Sequence, residues 1–325
     1  MRIPRRQFLR IAAAGAAVSA LPQIAHAQAY PSRPVRIVVT FPPGGANYIH
    51  ARLMGQFLSE RLGQPFVIEN RAGAAGNLGM EVVVRSPADG YTLVFLSVAL
   101  AINAITYEKL NYDLLRDIAP VAGLFRSHYV MLASPSLPTK TIPEFIAYAK
   151  ANPGKINLGS NGIGATGHLA GEMFGMMTGI KMQHVPYRGE GVALCDLIGG
   201  QIQVMFATTS GSAEFVRNGQ LRALGVTSVT RSRGWTDVPT IAESVPGYEL
   251  STWGGFGAPK NTPAAIVDAL NREINAGLQS PKIKAKYDDL GLAVIASTPA
   301  EFGRLIADDI EKWRKVVKFA GIKLG

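Results

Sequence analysis

Glycine-rich segments are the parts of this sequence whose residue types and spacing best suit chemistry. Three of them stand between a short apolar run and a helical pattern: Gly44-Gly45, Gly73 to Gly76, and Gly159 to Gly167. The first N–H groups of a helix lack intrahelical partners, and the helix dipole adds partial positive charge there. Such a loop binds a carboxylate or phosphate without a charged side chain, and glycine allows close backbone approach. The pattern predicts small-anion sites, although loops of this kind also serve merely to turn the chain.

The third loop also matches the dinucleotide-binding pattern G-x-G-x-x-G at Gly162, Gly164 and Gly167. The preceding strand is predicted to end near Leu158, several residues too early for the usual tight turn. The acidic residue expected about 20 positions later would be Glu190, which follows a loop instead of ending a strand. A nucleotide-dependent oxidoreductase, exported with its cofactor, stays as the alternative function, while the preferred interpretation has no cofactor.

Other constellations for catalysis or metal binding are missing from the sequence. It contains no G-x-S-x-G nucleophile elbow and no H-E-x-x-H zinc motif. The histidines that follow the first 27 residues, His50, His128, His168 and His184, are not spaced as metal ligands. Cys195 lies in an apolar helical stretch and is predicted to be a small buried side chain, not a nucleophile. We predict that the protein is not an enzyme and holds no metal.

The amino terminus has the pattern of an export signal. Arg5 and Arg6 form a twin-arginine pair, and a weakly apolar run follows that ends in a small-x-small site at Ala27. The run is too short to span a bilayer as a helix. We predict that residues 1–27 are a twin-arginine signal peptide, with an ordinary Sec signal as the alternative. The mature chain would begin at Gln28 in the periplasm, without a lipid anchor and not inserted in the membrane.

The charge balance favours a small anionic partner. The whole chain has 33 Lys and Arg against 23 Asp and Glu, a net charge of +10. The predicted signal peptide holds four arginines and no acid, so the mature balance is +10 less four, or +6. Basic residues are not clustered into runs, which argues against nucleic acid as a partner. A modest positive excess suits an anionic small ligand.

Strand-like and helix-like patterns alternate along the mature chain. Residues 35–41 form an apolar, β-branched run typical of a buried strand, and a helical pattern follows until Gly63 ends it. Residues 121–134 are predicted to be extended, and residues 256–259 to form a returning strand. Residues 300–317 carry an apolar stripe of helical period, as in a helix packed on a domain surface. The alternating order predicts an α/β fold with a parallel sheet.

Several short motifs follow one another along the chain. They are FPPGG at 41–45, ENRAGAAG at 69–76, DGYTL at 89–93, YAKANPGK at 148–155, HVPYRG at 184–189, GGQ at 199–201, LRAL at 221–224, DVPT at 237–240 and WGG at 253–255. The ordered set resembles the Bug/TctC family, the periplasmic receptors of tripartite tricarboxylate transporters, over essentially the whole mature chain. The resemblance implies a type II periplasmic-binding-protein (Venus flytrap) fold, with two α/β domains and a ligand cleft between them. Domain 1 would hold residues 30–130 plus 252–325, and domain 2 residues 131–251.

The resemblance also implies a ligand, a binding site and a partner. Family members bind small organic carboxylates, so we expect a di- or tricarboxylate or an aromatic acid. The partners would be the membrane permease subunits of a tripartite tricarboxylate transporter. The residues expected around the ligand lie in the first and third glycine loops, at one strand end and beside the third loop: Pro43, Gly44, Gly45, Ala46, Asn47, Tyr48, Ser97, Gly159, Ser160, Asn161, Gly164, Ala165, Thr166, His168, Tyr187 and Glu190.

Two residues of the expected site depart from the family pattern. Tyr48 stands where the family usually has an aspartate, and Glu190 where it usually has a small residue. Tyr48 removes a negative charge and adds a flat apolar ring, which would disfavour acidic amino acids and favour a simple or aromatic carboxylate. Glu190 could restore a negative group from the other domain. The alternative for Tyr48 is a ring that packs outward and touches no ligand.

Overall fold

The computed structural model describes residues 30–231 and 235–323. The predicted signal peptide, residues 1–27, and the predicted mature terminus at Gln28 lie outside the described residues. Within the described ranges, helices surround a mixed β-sheet in which two sets of parallel strands are joined by crossing strands.

One parallel set forms the first part of the sheet in the order β2-β1-β3. Its strands are β1 (Val35–Val39), β2 (Phe66–Asn70) and β3 (Thr92–Ser97). β1 and β3 are apolar and buried almost throughout, as expected for parallel strands that are covered on both faces.

Two crossing strands, β4 (Ile118–Ala133) and β9 (Ser251–Pro259), lead from this set to a second parallel set. The other strands are β5 (Asn157–Ser160), β6 (Gln183–Pro186), β7 (Val204–Thr208), β8 (Arg222–Val226) and β10 (Ala293–Val294). β9 pairs antiparallel with β3 on one side and with β4 on the other. The second half of β4 pairs antiparallel with β7 and β8, and β5 and β6 extend the sheet beyond β7 in parallel. β10 pairs with the middle of β4.

The prediction of a parallel sheet is therefore wrong for the centre of the sheet. β4 and β9 pair with each other although they lie more than a hundred residues apart in sequence, so local patterns carry no information about their relative direction. The predicted extended segment 121–134 is confirmed, since nearly all of it belongs to β4. β9 starts at Ser251, before the predicted strand at 256–259. The sequence pattern did not indicate the first half of this strand, because that half is rich in glycine and hydroxyl side chains although it lies buried in the sheet.

Helices connect most of the strands. They are α1 (Ala46–Leu62), α2 (Asn77–Val84), α3 (Val98–Thr106), α4 (Leu114–Asp117), α5 (Ile142–Ala151), α6 (Thr166–Thr178), α7 (Glu190–Ile198), α8 (Thr209–Arg217), α9 (Ala264–Gln279), α10 (Pro281–Asp289) and α11 (Pro299–Ala320). Gly63 ends α1 as predicted, and Thr141 caps α5 through a bond from the Glu144 N–H. The sequence patterns do not indicate α3 or α8, because each begins directly after a strand without a turn signal.

α11 confirms the predicted amphipathic packing helix. Its buried stripe includes Phe302, Ile306 and Trp313, and the helix packs against α3, β4 and α6. Trp253 of β9 lies beneath it, and its Nε1 donates a hydrogen bond of 2.6 Å to Asp309 Oδ2. The helix therefore contacts elements that follow both parallel sets.

Cys195 is exposed, so the prediction of a buried cysteine is wrong. The nine-residue helix α7 buries Ala193, Leu194 and Leu197 on one face. Because helical side chains repeat about every 3.6 residues, packing through that face turns Cys195 towards solvent. An apolar stretch alone does not reveal which of its residues face outward.

Candidate ligand-binding site

The register of the crossing strands sets the two parallel sets face to face. Ser97 ends β3 and pairs with Gly254, which pairs with Phe125 of β4. Thr208 ends β7 and pairs with Tyr129 of β4. β3 runs parallel to β4 and β7 runs antiparallel to it, so the carboxyl ends of the two sets point towards each other. The stretch from Phe125 to Tyr129 separates them by roughly 13 Å, at about 3.3 Å per residue.

We call the carboxyl ends of β1, β2 and β3 the first edge, and those of β5, β6 and β7 the second edge. The strands within each set are parallel, so the loops that follow them emerge together at their edge. Residues 43–48 and Ser97 lie at the first edge, and residues 159–168, Tyr187 and Glu190 lie at the second. In open α/β sheets, ligands bind outside the carboxyl ends of strands. The structure thus gathers the predicted site residues at two facing edges.

At the first edge, the chain passes from β1 into α1 through an exposed loop. Gly45 is the N-cap residue of α1, and within the described residues no side chain caps this helix. The first-turn N–H groups, those of Ala46, Asn47 and Tyr48, therefore have no side-chain acceptor there. Asn47 Nδ2 lies 3.4 Å from Ser97 Oγ, to which it donates, and this bond joins the loop to the end of β3.

Tyr48 lies half-buried in the first turn of α1. Its hydroxyl accepts a hydrogen bond of 3.0 Å from Arg52 Nη1, one helical turn further along. The Arg52 guanidinium carbon lies 6.0 Å from the centre of the tyrosine ring. The position at which the resemblance implies an aspartate thus holds a phenol that is bonded to a cation.

At the second edge, the β5–α6 loop is held by hydrogen bonds of its own. Ser160 is fully buried, and its Oγ accepts the Gly162 N–H at 3.2 Å and lies 2.6 Å from His184 Nε2. The Gly164 N–H donates to His168 Nδ1 at 3.1 Å. Gly164 has a φ of +74°, which L side chains rarely adopt, so this position favours glycine. α6 then begins after Ala165, again without a side-chain cap among the described residues.

Two stacked histidines support this loop. The rings of His168 and His184 lie 3.5 Å apart between centroids and 9° from parallel. His168 Nε2 lies 3.5 Å from Glu172 Oε1. Burial, and to a smaller extent His168, lower the pKa of His184 to about 4, so His184 is neutral at neutral pH. With His168 Nδ1 accepting a backbone N–H, the pair fixes the loop from behind.

Tyr187 and Glu190 are both bound to protein groups at the second edge. The Tyr187 hydroxyl donates to Asp196 Oδ2 at 2.7 Å, and burial raises its pKa to about 12. Glu190 accepts two hydrogen bonds from Thr208, one from its N–H at 3.1 Å and one from its Oγ1 at 2.6 Å. Burial raises the pKa of the Glu190 carboxyl, while the Thr208 bonds lower it.

Sequence reasoning missed Thr208 and Tyr129. Thr208 caps α8 by accepting the Gly211 N–H, a role that a threonine directly after the apolar run of β7 could have suggested. Tyr129 is buried on β4 and pairs with Thr208, and the charge of Glu190 adds to burial in raising the pKa of its phenol. Only the long-range register of β4 brings it to the second edge.

The second glycine segment, Gly73 to Gly76, serves internal packing. Asn103 Nδ2 donates to Ala75 O at 2.8 Å and to Asn77 Oδ1 at 3.1 Å. The Tyr112 hydroxyl donates to the same Asn77 oxygen at 2.8 Å. This buried network holds the segment against α2 and α3, which is the turn-forming alternative that the sequence left open.

The structure around G-x-G-x-x-G does not present the groups that a nucleotide requires. Gly167 lies in α6, where a Cβ would come within 2.6 Å of Phe206 O, so it allows α6 to pack closely on β7. Glu190, however, is the first residue of α7 and does not end a strand. The acid is therefore not at the strand end where the dinucleotide motif places the residue that binds the ribose.

Across residues 30–231 and 235–323, no group of three or more His, Cys, Asp and Glu side chains is placed to hold a metal ion. In the same ranges, no helix combines the length and the apolar character needed to cross a membrane. His50 instead packs among aromatic rings, 4.2 Å from Phe125 and 5.5 Å from Tyr287 between centroids.

A mixed α/β fold with helix N-termini on two facing sheet edges can hold a small ligand between those edges. The family model described as tripartite tricarboxylate transporter family receptor (TctC) matches residues 50–322, and the chain belongs to this family. Its members are periplasmic solute-binding receptors and not enzymes. The resemblance noted from the sequence motifs is confirmed.

Known relatives and solved structures agree with this membership. The chain is 37% identical to protein BugT of Bordetella pertussis over 301 residues, which cover 92% of each chain. It is similar to R. palustris Rpa4515 with adipate, at 36% identity and a TM-score of 0.77, covering 90% of this chain and 99% of that one. It is also similar to MatC from Rhodopseudomonas palustris with bound malate, at 30% identity and a TM-score of 0.74, covering 89% and 100%. These structures confirm the predicted fold class.

Proposed function

We propose that this protein captures a small organic carboxylate between its first and second edges and delivers it to the permease subunits of a tripartite tricarboxylate transporter. Family membership supports the receptor role, and the adipate and malate complexes of two relatives support a carboxylate ligand. Export through a twin-arginine signal at residues 1–27 and release into the periplasm belong to the same proposal.

The observation that carries the proposal is the pair of helix N-termini at the facing edges. α1 follows Gly45 at the first edge, and α6 follows Ala165 at the second; among the described residues, neither helix has a side-chain cap. Free N–H groups and the helix dipole favour an anion at such an end, and a carboxylate can accept several N–H bonds. Two opposed helix ends of this kind let a ligand whose carboxylate lies at one edge extend to the other edge.

Bridging would couple binding to closure. In this proposal, residues 30–130 plus 252–325 and residues 131–251 act as two domains that move about β4 and β9. A ligand that contacts both edges binds the closed arrangement better than the open one, and so shifts the population towards closure. The predicted site residues would then surround the ligand from both sides.

The test is a ligand screen on the purified mature protein by thermal shift, followed by calorimetry. Adipate, malate, citrate and benzoate are the first probes, and a nicotinamide dinucleotide is the control for the alternative function. A ligand that binds only the folded state raises the melting temperature. We expect at least one carboxylate to do so and the dinucleotide not to. A co-purified nucleotide, or binding of the dinucleotide alone, would contradict the proposal.

A further inference from the structure

Glu190 places a fixed carboxylate at the second edge. It is the first residue of α7, which follows β6, yet its oxygens bind the N–H and the hydroxyl of Thr208 at the end of β7. β5 lies between β6 and β7 in the sheet, so the Glu190 side chain reaches along the carboxyl edge of the second parallel set. The group therefore stands where the ligand is proposed to lie.

The surroundings hold this carboxylate in one place. Glu190 packs against α8, where a Cβ at Gly211 would collide with its Oε1. Tyr129 of β4 pairs with Thr208 across the strands. Burial raises the pKa of its phenol, and the negative charge of Glu190 adds to that effect. Arg188, two residues earlier, is exposed, and within the described part of the chain Glu190 forms no ion pair with it. The carboxylate is thus half-buried and bonded to a neutral partner.

A fixed carboxylate restricts what can lie next to it. An ionised carboxylate has about four acceptor positions, and the bonds from Thr208 use two of them. The others can accept a hydrogen bond from a ligand. A second carboxylate at the same place would meet like-charge repulsion, which is strong where water is partly excluded.

We propose that Glu190 determines the chemical class of the ligand: a carboxylate whose far end carries a hydrogen-bond donor, either a hydroxyl or an ammonium group, in place of a second carboxylate. This inference rests on the proposed function. It selects among carboxylates and agrees with weak binding of acidic amino acids, since these carry a second carboxylate.

The experiment compares acids that differ only at the far end. One series is butyrate, 4-hydroxybutyrate, 4-aminobutyrate and succinate; a longer one is hexanoate, 6-hydroxyhexanoate, 6-aminohexanoate and adipate. Benzoate, 4-hydroxybenzoate and terephthalate form an aromatic series. In the series that binds, calorimetry on the wild type should show that the member with the terminal hydroxyl or amino group binds at least about tenfold more tightly than the dicarboxylate. This ratio equals about 1.4 kcal/mol of binding free energy. The hydroxyl and amino members distinguish the two kinds of donor.

Glu190→Gln tests the charge itself. Its amide oxygen can accept the Thr208 N–H and its amide N–H can donate to Thr208 Oγ1, so contact with Thr208 is kept, with one bond reversed, while the negative charge is lost. We expect the dicarboxylate of the series to gain at least about tenfold in affinity and the member with the terminal amino group to lose affinity. Glu214→Gln is the matched control, because it removes one negative charge from an exposed position on the neighbouring helix α8 and should leave the ranking unchanged.

The outcomes separate the inference from the proposed function. A wild type that prefers the dicarboxylate overturns the inference and leaves carboxylate binding intact. An unchanged ranking in Glu190→Gln, with Thr208 and the fold preserved, also overturns it. If that variant fails to fold, the wild-type ranking decides alone. Binding of no acid in any series contradicts the proposed function and the inference together.

Discussion

The first and second edges face each other but are built differently. At the first edge, the loop from Pro42 to Ala46 is exposed, and the bond between Asn47 and Ser97 is long at 3.4 Å. At the second edge, Ser160 is fully buried and its hydroxyl is bonded within the loop, while stacked histidines support the loop from behind. One edge is open to solvent, and the other is fixed before any ligand arrives.

The difference suggests a division of labour. A fixed loop loses little conformational freedom when a ligand binds, so the second edge can supply specificity at low entropic cost. In the proposed function, the open first edge would give the ligand access and would complete its contacts on closure of the two domains. On this account, changes at the second edge should alter binding more than equivalent changes elsewhere on the same elements.

The largest expected effect is on stability and concerns His50, a buried residue of α1, the helix that begins at the first edge. Burial lowers the pKa of His50 to about 4 from an ordinary value near 6.5, so the unfolded chain binds more protons between these values. Stability contributed by neutral His50 is therefore complete above about pH 6.5 and is lost as the pH falls towards 4, by about 3 kcal/mol. Urea denaturation of wild type and His50→Leu should show a smaller loss of unfolding free energy in the variant.

His50→Leu is informative because, among the described residues, His50 Nδ1 is buried without a hydrogen-bond partner. Replacing it removes one unsatisfied buried polar atom, so we expect stability at pH 7 to be kept or increased. Identical pH slopes for wild type and variant would show that His50 does not carry this dependence.

The second prediction compares two glycines that flank α6. Gly164 and Gly179 have φ values of +74° and +70°, so alanine at either should cost roughly 1–2 kcal/mol of stability. Only Gly164 lies in the second-edge loop. We expect Gly164→Ala to weaken ligand binding about tenfold, the worth of about one hydrogen bond between this loop and the ligand. Calorimetry should find Gly179→Ala unchanged in affinity; equal losses in both would assign the effect to stability alone.

The smallest effect is expected at Tyr48 of the first edge. Tyr48→Asp introduces a negative charge beside the N-terminus of α1 and beside Arg52. At a half-exposed position, we expect simple carboxylates to lose roughly three- to tenfold in affinity, about 1 kcal/mol. Tyr48→Phe removes only the bond to Arg52 and should change affinity less. If calorimetry shows aspartate as the preferred ligand of the wild type, the role given to Tyr48 is wrong.

Sequence patterns predicted most of the elements and the placement of the loops, because strand, glycine loop and helix follow one another locally. They did not predict the exposed side of α7 or the direction of β4 and β9. The exposed side of α7 depends on which helical face meets the sheet, and the direction of the two strands depends on pairing between distant segments. Neither leaves a local signal in the residues concerned.

The same limit applies within the candidate site. Residues 43–48 and 159–168 stood out as loops before helices, and the structure places them on opposed edges. The contact between Glu190 and Thr208, and the position of Tyr129, follow from the register of β7 on β4. That register is a long-range property, so the sequence indicated Glu190 as a departure from the family without showing its bonds.

The central claim is that a carboxylate bridges the first and second edges and closes the protein. Small-angle scattering, with and without a saturating carboxylate identified in the screen, tests it directly, provided that calorimetry on the same sample proves binding. We predict a smaller radius of gyration for the bound wild type and no change for Gly164→Ala at the same ligand concentration. An unchanged radius for the wild type, with binding proven, would contradict the bridging account.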